Sequence, residues 1–361
     1  MRSTDRRAAV LWLNAVAGLG SAKINKLTAE IPPEELYACP EKYFGKAKEL
    51  IGEAAAKLRF GKSDPKPVED IMRTLEASGA EFIVRGDAEY PASLENIFNP
   101  PAILYYKGDV SLLKSRCLGV VGTREPSMYG RQCTEKFVSA LAKLKLTIVS
   151  GLARGVDAVA HRTALMNDGK TVAVVATGID VVFPASNAVL CDDIARKGLV
   201  VTEYAPGTPA LAYNFPERNR LISGLSAGVL VTEAGLKSGS LITADYAVKQ
   251  GKELFVIPSA LNSPRGAGCN RLLKSLQGAM VLSPDDVSDA LGICAAPDEP
   301  ASVMQLDFTE ERILDALSYS EVSFDDLLAI TGLGVSDLNA LLVRMELNGL
   351  IRKLENNYYG V

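Results

Sequence analysis

The sequence has very little of the chemistry from which metal sites and disulfide frameworks are built. Its 361 residues include one histidine and one tryptophan, and no two of its six cysteines form a Cys-x-x-Cys pair. Zinc sites need several cysteine or histidine ligands at short spacing. We therefore expect no metal site, and the scattered cysteines favour a reducing cytoplasm.

An overall positive charge is also missing. The chain has 39 Lys and Arg residues against 43 Asp and Glu residues, which gives a formal net charge of −4. A nucleic-acid partner would therefore have to bind a local basic patch.

Long apolar runs are equally scarce. Residues 8–16 follow Arg2, Arg6 and Arg7 and superficially resemble an export signal. Asp5 and Asn14 interrupt that pattern, and no other run is long enough to span a membrane. We expect a cytoplasmic protein with no membrane association.

What the sequence does contain is a strand, a glycine-rich turn and a helix in succession over residues 147–161. The β-branched run 147–150 predicts a buried parallel strand, Gly151 ends it, and Gly155 begins an apolar helix. Helix N-termini attract anions, and Arg154 adds a positive charge to this turn. The stretch predicts an anion site, although Arg154 taken alone is equally consistent with a solvated loop residue.

Strands and helices alternate regularly around this unit. Such alternation predicts an α/β fold with a doubly wound, mainly parallel sheet and right-handed crossovers. Two earlier strands, 81–84 and 103–106, are expected to extend the edge of the sheet. The main strands are predicted at 118–121, 147–150, 172–176, 199–202, 229–232, 254–257 and 280–282.

The two ends of the chain are predicted to form small domains of their own. Residues 1–62 have helical spacing, and Gly18, Gly20 and Lys23 match a helix–hairpin–helix turn that either holds a phosphate or is a plain helix cap. A short linker over 61–67 precedes the sheet domain, 68–283, and a second linker, 284–305, follows it. Residues 306–361 resemble a winged helix with helices at 310–317, 324–331 and 335–348 and a wing over 351–359 tipped by Asn356 and Asn357.

Ligands of open parallel sheets bind beyond the carboxyl ends of the strands. In this sequence those ends are followed by cations, hydroxyl residues and glycines, a combination suited to several phosphates. Phe215 and Tyr204 offer ring faces for an unpaired base. The alternative for each arginine is a salt bridge to Glu203, Glu217 or Glu233, and we expect it to hold for one or two of them. The predicted site comprises Gly122, Thr123, Arg124, Gly151, Arg154, Phe215, Arg218, Asn219, Arg220, Lys237, Ser238, Gly239 and Ser240, with Arg265 nearby.

Several enzyme classes fit poorly. Gly169-Lys170-Thr171 resembles the end of a Walker A motif, but Ala164 replaces the upstream glycine and the triplet precedes a strand. No Gly-x-Gly-x-x-Gly with a following acid supports a dinucleotide cofactor. Asp157 and His161 lie four residues apart, and we expect them to pack their helix rather than to act as a catalytic pair.

These same residues resemble the bacterial DNA-processing protein A family, also called DprA or Smf. The resemblance covers residues 80–283 and is carried by several motifs in order, at 120–124, 150–165, 198–204, 215–220 and 238–244. The helical first domain and the winged-helix end are similar to those of the family's longer members.

The resemblance implies an extended Rossmann domain that binds single-stranded DNA without catalytic turnover. It also implies a homodimer and the loading of a RecA-type recombinase onto incoming DNA during natural transformation. The DNA-holding role carries over to Gly122, Thr123 and Arg124 and to Arg218, Asn219, Arg220, Lys237 and Ser238.

The competing hypothesis is an enzyme on a related scaffold, a nucleotide phosphoribohydrolase. That family uses a Pro-Gly-Gly-x-Gly-Thr turn followed by Glu. Residues 233–241 correspond to it, but they lack the double glycine and the following acid. A binding protein therefore fits the sequence better.

The winged helix is strongly acidic. Residues 306–361 contain four basic and ten acidic side chains, a net charge of −6, so the rest of the chain carries +2. Such a module repels phosphate, and its recognition helix offers only Arg344. We expect the apolar row of Leu338, Leu341, Leu342 and Met345 to be internal packing. We therefore expect the winged helix to have a regulatory or protein-contact role.

Removal of residues 298–361 should leave the affinity for single-stranded DNA within about threefold, a change of only ~0.7 kcal/mol. Labelled oligonucleotides titrated against the truncated and full-length proteins measure this. A loss beyond tenfold in a truncated protein that circular dichroism shows to be folded would assign the DNA site to the winged helix.

Overall fold

A computed structural model describes residues 2–15, 19–60, 66–293, 307–319, 322–347, 350–354 and 358–360. The chain forms two compact units, residues 1–294 and residues 295–361.

Among the described residues of the first unit, nine strands form one sheet. They are β1 (Glu81–Val84), β2 (Ile103–Gly108), β3 (Cys117–Val121), β4 (Thr147–Ser150), β5 (Thr171–Val174), β6 (Leu199–Thr202), β7 (Gly228–Val231), β8 (Glu253–Val256) and β9 (Ala279–Met280). Their order across the sheet is β1-β2-β6-β5-β4-β3-β7-β8-β9. β1 and β2 add antiparallel at one edge, and all other neighbours are parallel. The predicted doubly wound, mainly parallel sheet is confirmed.

Helices cover both faces of this sheet because its central strands are buried on both sides. One face packs on α10 (Asn214–Leu225), α11 (Ser240–Lys249) and α12 (Ala267–Lys274). The opposite face packs on α7 (Met128–Lys143), α8 (Val156–Met166) and α13 (Pro284–Ala290). Leu190 and Ile194 of α9 (Ala188–Lys197) pack against the β2–β6–β5 end.

The N-terminal helices share their core with the sheet. They are α1 (Arg2–Asn14), α2 (Ser21–Glu30), α3 (Pro33–Ala38), α4 (Phe44–Ile51), α5 (Glu53–Phe60) and α6 (Lys66–Ser78). Trp12 and Leu27 belong to the same buried cluster as Ile103 and Val200. The described residues of this N-terminal stretch, 2–15 and 19–60, are therefore mainly helical, as predicted, but lie in one compact unit with the sheet. Gly18 of the predicted hairpin turn and residues 61–65 of the predicted linker lie outside the described residues.

Part of the predicted linker 284–305 is in fact helical. Ser283 caps α13 by accepting a bond from the Asp286 backbone, and Pro284 occupies the first turn, where its missing N–H costs nothing. Val287 is buried in the sheet core. The beginning of the predicted linker is thus a helix N-terminus; residues 294–305 lie outside the described part.

The outer edge of β1 is covered by α1. The Arg6 guanidinium donates to the Arg85 carbonyl, and that of Arg7 donates to the Phe82 carbonyl. Arg7 also pairs with Asp87 at 3.3 Å. These bonds occupy backbone acceptors that an edge strand otherwise leaves open.

The second unit is a winged helix, as predicted. Its helices α14 (Phe308–Tyr319), α15 (Phe324–Thr331) and α16 (Val335–Leu347) pack with three short strands in the order β10 (Val322–Ser323), β12 (Tyr358–Gly360) and β11 (Arg352–Lys353). Leu338, Leu342 and Met345 are buried in its core and Leu341 is partly buried, which confirms their internal role. The predicted tip, Asn356 and Asn357, lies outside the described residues.

No single described helix is long and apolar enough to cross a membrane. One pair, Phe324–Thr331 and Val335–Glu346, meets the length and composition requirement only as a combination bent by 107°.

A buried ion pair joins the N-terminal helices, β6 and α10. The Arg220 guanidinium donates two hydrogen bonds of 2.7 Å to the two carboxylate oxygens of Glu203. Ser21, at the start of α2, donates to the same carboxylate at 3.1 Å, and its hydroxyl accepts from the Ala102 N–H. Burial acts to lower the pKa of Arg220, but Glu203 raises it, so the guanidinium stays charged.

Replacement of Glu203 by Gln should lower the free energy of unfolding by about 3–5 kcal/mol, because it leaves the Arg220 charge buried and uncompensated. Urea unfolding followed by circular dichroism measures the change. The exposed pair Arg73–Asp70 supplies the control, since Asp70→Asn should cost no more than about 1 kcal/mol. A Glu203→Gln variant as stable as the parent would show that the pair carries little of the fold.

Candidate nucleic-acid interface

A cleft lies where the sheet reverses its winding direction. From β3 the chain builds outward through β4, β5 and β6, then α10 returns it to β7 on the other side of β3. The loops after β3 and β7 therefore diverge, and the space between them is where open α/β sheets bind ligands. The cleft has a volume of about 740 Å³.

Ten of the thirteen predicted site residues line this cleft, although they come from three separate stretches of chain. They are Gly122, Thr123, Arg124, Phe215, Arg218, Asn219, Lys237, Ser238, Gly239 and Ser240. Gly151, Arg154 and Arg220 do not line it, and neither do Tyr204 and Arg265.

The turn that carries Arg124 is held by backbone bonds to two other loops. The Thr123 N–H donates to the Glu233 carbonyl at 2.7 Å, and the Val156 N–H donates to the Thr123 carbonyl at 3.1 Å. Gly155 has φ +80, and a Cβ there would lie 2.4 Å from the Thr123 carbonyl oxygen. Only glycine permits this approach. Arg124 is thereby placed, exposed, at the mouth of the cleft.

Gly151 and Arg218 contribute to the wall of the site from within. The Arg218 guanidinium donates to the Gly151 carbonyl at 2.9 Å and to the Val174 carbonyl, and burial lowers its pKa to about 10. A Cβ on Gly151 would lie 2.6 Å from Arg218 and 2.8 Å from Asp157. Gly151 is thus needed for side-chain packing rather than for close approach of a ligand.

Asp157 and His161 are both buried, as expected of residues that pack their helix. The Asp157 carboxylate accepts from the Gly151 and Ala153 N–H groups; burial raises its pKa, and the Arg218 charge opposes that shift. His161 bonds Thr171 at 2.6 Å, and burial lowers its pKa to about 3, so the ring is neutral.

Three of the predicted residues are used differently. Arg220 is 1% exposed and donates two hydrogen bonds to Glu203, so the alternative of an internal ion pair holds for it. Arg154 is exposed but lies outside the cleft. The Tyr204 hydroxyl donates to the Asn214 carbonyl at 3.1 Å, and the ring does not line the cleft.

The opposite wall is the start of α11. Ser238 and Ser240 share a hydroxyl hydrogen bond of 2.7 Å, and the Asn219 amide donates to the Gly239 carbonyl at 3.3 Å, which joins this start to α10. The positive end of the α11 dipole and the Lys237 ammonium favour an anion here.

The sequence reasoning missed one aromatic residue of the cleft. Phe183, on the loop after β5, lines it and packs edge-on against Phe215, with ring centroids 5.5 Å apart. The Arg124 guanidinium lies 5.8 Å from the Phe215 ring centroid. The sequence signal that could have identified Phe183 was its place, before Pro184, in the loop that follows the carboxyl end of a strand.

Within the described residues, no group of three or more His, Cys, Asp or Glu side chains is placed to hold a metal ion. The cleft is lined instead by cations, hydroxyls and aromatic rings, with one buried carboxylate, Asp157. Such a surface suits a phosphate-bearing, base-bearing ligand.

The chain is similar to known proteins named for DNA processing. The chain is 37% identical to Protein Smf of Escherichia coli over 310 residues, and this alignment covers 83% of this chain and 82% of the E. coli protein. It is 45% identical over 199 residues to the DNA processing protein DprA of Streptococcus pneumoniae, covering 55% of this chain and 70% of that one.

Two solved structures are similar in fold. That of DprA from S. pneumoniae has a TM-score of 0.68 at 34% identity and covers 77% of this chain and 95% of its own. DNA processing protein A from Helicobacter pylori, described for its single-stranded DNA binding mode, has a TM-score of 0.54 at 33% identity and covers 59% of this chain and 95% of its own.

Family models cover both units. The DprA winged helix domain matches residues 297–357, and the model of DNA recombination-mediator protein A matches residues 81–292. The chain belongs to the DNA recombination-mediator protein A family.

Proposed function

We propose that the cleft between the β3 and β7 loops binds single-stranded DNA and that the protein delivers the bound strand to a RecA-type recombinase without chemical turnover. The observation that carries the proposal is the convergence of Arg124, Lys237 and the α11 N-terminus on one cleft beside aromatic rings. The two cations and the helix N-terminus suit phosphates, and the aromatic rings suit unpaired bases. The binding mode named for the H. pylori relative supports this assignment.

The cations of the cleft divide into two kinds. Arg124 is exposed and Lys237 lies at the cleft surface, so both can contact a backbone phosphate. The Arg218 guanidinium instead donates hydrogen bonds to two backbone carbonyls. Ser238, Ser240 and Asn219 supply neutral donors between them. Contacts of this kind position a strand without reading its sequence, so binding should depend little on base order.

A second candidate function is hydrolysis of a nucleotide's glycosidic bond. One observation favours it: the Asp157 carboxylate lines the cleft and has a raised pKa. The same carboxylate, however, is occupied by two backbone N–H groups. Release of free base from nucleoside monophosphates would establish the enzyme; its absence alongside tight oligonucleotide binding would support the carrier.

We also propose that two copies associate through the free edge of the sheet. β9 is the terminal strand, and Leu276, Met280 and Leu282 beside it are 91%, 56% and 70% exposed. Exposed apolar side chains next to an edge strand favour association. Replacing Met280 and Leu282 with Asp should convert a dimer into a monomer in sedimentation velocity; an unchanged dimer would place the interface elsewhere.

Arg124→Ala and Lys237→Ala should each weaken single-stranded DNA binding by roughly 1–3 kcal/mol, the range for a charged hydrogen bond. Each should also reduce the slope of log affinity against log salt by about one phosphate contact. Fluorescence anisotropy with a labelled oligonucleotide at several salt concentrations measures both quantities.

Lys114→Ala is the matched control, because Lys114 is exposed but lies before β3, at the amino edge of the sheet. It should bind like the parent. Equal affinity for single strand and blunt duplex, or parental binding by both cleft variants, would contradict the proposal.

A further inference from the structure

The cleft offers more aromatic surface than the phosphate contacts require. Phe183 is 44% exposed, and Val182 beside it and Tyr213 on the loop before α10 are 39% and 68% exposed. Ala210 and Ala212, from the same loop as Tyr213, line the cleft together with Phe183. An apolar patch at the rim of a cationic cleft indicates a contact with something flat and apolar.

Phe215 is not the ring with the freest surface. It is only partly exposed, because the Arg124 guanidinium lies over its ring and Phe183 packs against it. Phe183 has no corresponding cation contact among the described residues, and it keeps nearly half of its surface open. The structure therefore leaves Phe183, rather than Phe215, as the ring available to a base.

The loop that carries Phe183 is fixed on both sides. Before it, the Thr177 hydroxyl donates to the Val181 carbonyl at 2.6 Å, and the Gly178 N–H donates to the Thr208 carbonyl at 2.9 Å. After it, the Asn187 amide donates to the Leu152 carbonyl at 2.9 Å. An exposed ring held by its neighbours loses little conformational freedom when a ligand stacks on it.

We propose that Phe183 is the outer stacking platform of the cleft and takes the base of the nucleotide adjacent to the one whose phosphate meets Arg124 and Lys237. This inference rests on the proposed binding of single-stranded DNA. Stacking on an aromatic ring tolerates every base, since each base has a π-face. Phe183 is thus a binding residue that contacts a base and no phosphate.

The test combines protein variants with a strand that lacks one base. In the full-length protein, Phe183→Ala should weaken binding of a short oligonucleotide about tenfold, the equivalent of ~1.4 kcal/mol. The salt slope should stay at the parental value, because no phosphate contact is lost. Phe183→Trp should restore the affinity.

A single abasic site is then moved along the strand. At one position the abasic strand should bind the parent about tenfold more weakly, and at that position Phe183→Ala should cause no further loss. This non-additivity would not arise from a structural defect of the variant, which would weaken all strands alike.

Two further variants separate loss of the ring face from loss of apolar packing and from an effect of any exposed phenylalanine. Phe183→Leu keeps an apolar contact with Phe215 but lacks a ring face, so it should lose affinity in the same way as Phe183→Ala. Phe98→Ala is the matched control, since Phe98 is 82% exposed and does not line the cleft, and it should bind like the parent.

Parental binding by Phe183→Ala, or an equal loss on every abasic strand, would overturn the stacking role. If Arg124→Ala still weakens binding in that case, the proposed DNA site stands without it. If Arg124→Ala also binds like the parent, the proposed function itself is wrong.

Discussion

The bidentate pair between Arg220 and Glu203 fixes the position of α10, and the cleft depends on that helix. Arg220 faces the interior, where its charge is tolerated only because Glu203 neutralises it. Phe215 and Asn219 of the same helix line the cleft. A shift of α10 would therefore displace Phe215, which packs against the Phe183 ring, and the Asn219 link to Gly239 together. Because Ser21 also bonds Glu203, the N-terminal helices support the same site from a distance.

The two arginines of the 215–220 motif show how one short stretch serves two purposes. Arg218 and Arg220 both point inward and organise the walls, while the cations at the cleft surface, Arg124 and Lys237, come from other loops. The arginines of a family motif therefore do not all contact phosphate. Buried guanidinium groups set the geometry, and exposed charges attract the ligand.

The sheet could be predicted from the sequence almost strand by strand, because buried parallel strands are short β-branched runs bounded by glycine and polar residues. β1, β4 and β6 match their predicted bounds, and the others shift by one or two residues at their ends. The cleft was also predictable in outline, since parallel strands bring their carboxyl ends to one edge.

The sequence could not show which way a side chain faces or which distant residues contact each other. Whether Arg220 faces solvent or Glu203 depends on the helix's rotation against β6, which spacing alone does not determine. Phe183 lies nine positions beyond the end of β5, and only the folded loop returns it to Phe215. The helix 284–290 was hidden because its capping residues, Ser283, Pro284 and Asp286, are also typical of linkers.

The guanidinium groups of Arg6 and Arg7 make the two edges of the sheet unequal. Carbonyls at the β1 edge are occupied by α1, whereas β9 ends the sheet at the other side with its two residues exposed. Edge-to-edge joining needs an accessible strand on each participant. Joining of copies through this sheet would therefore pair β9 with β9, a self-complementary contact that closes after two chains.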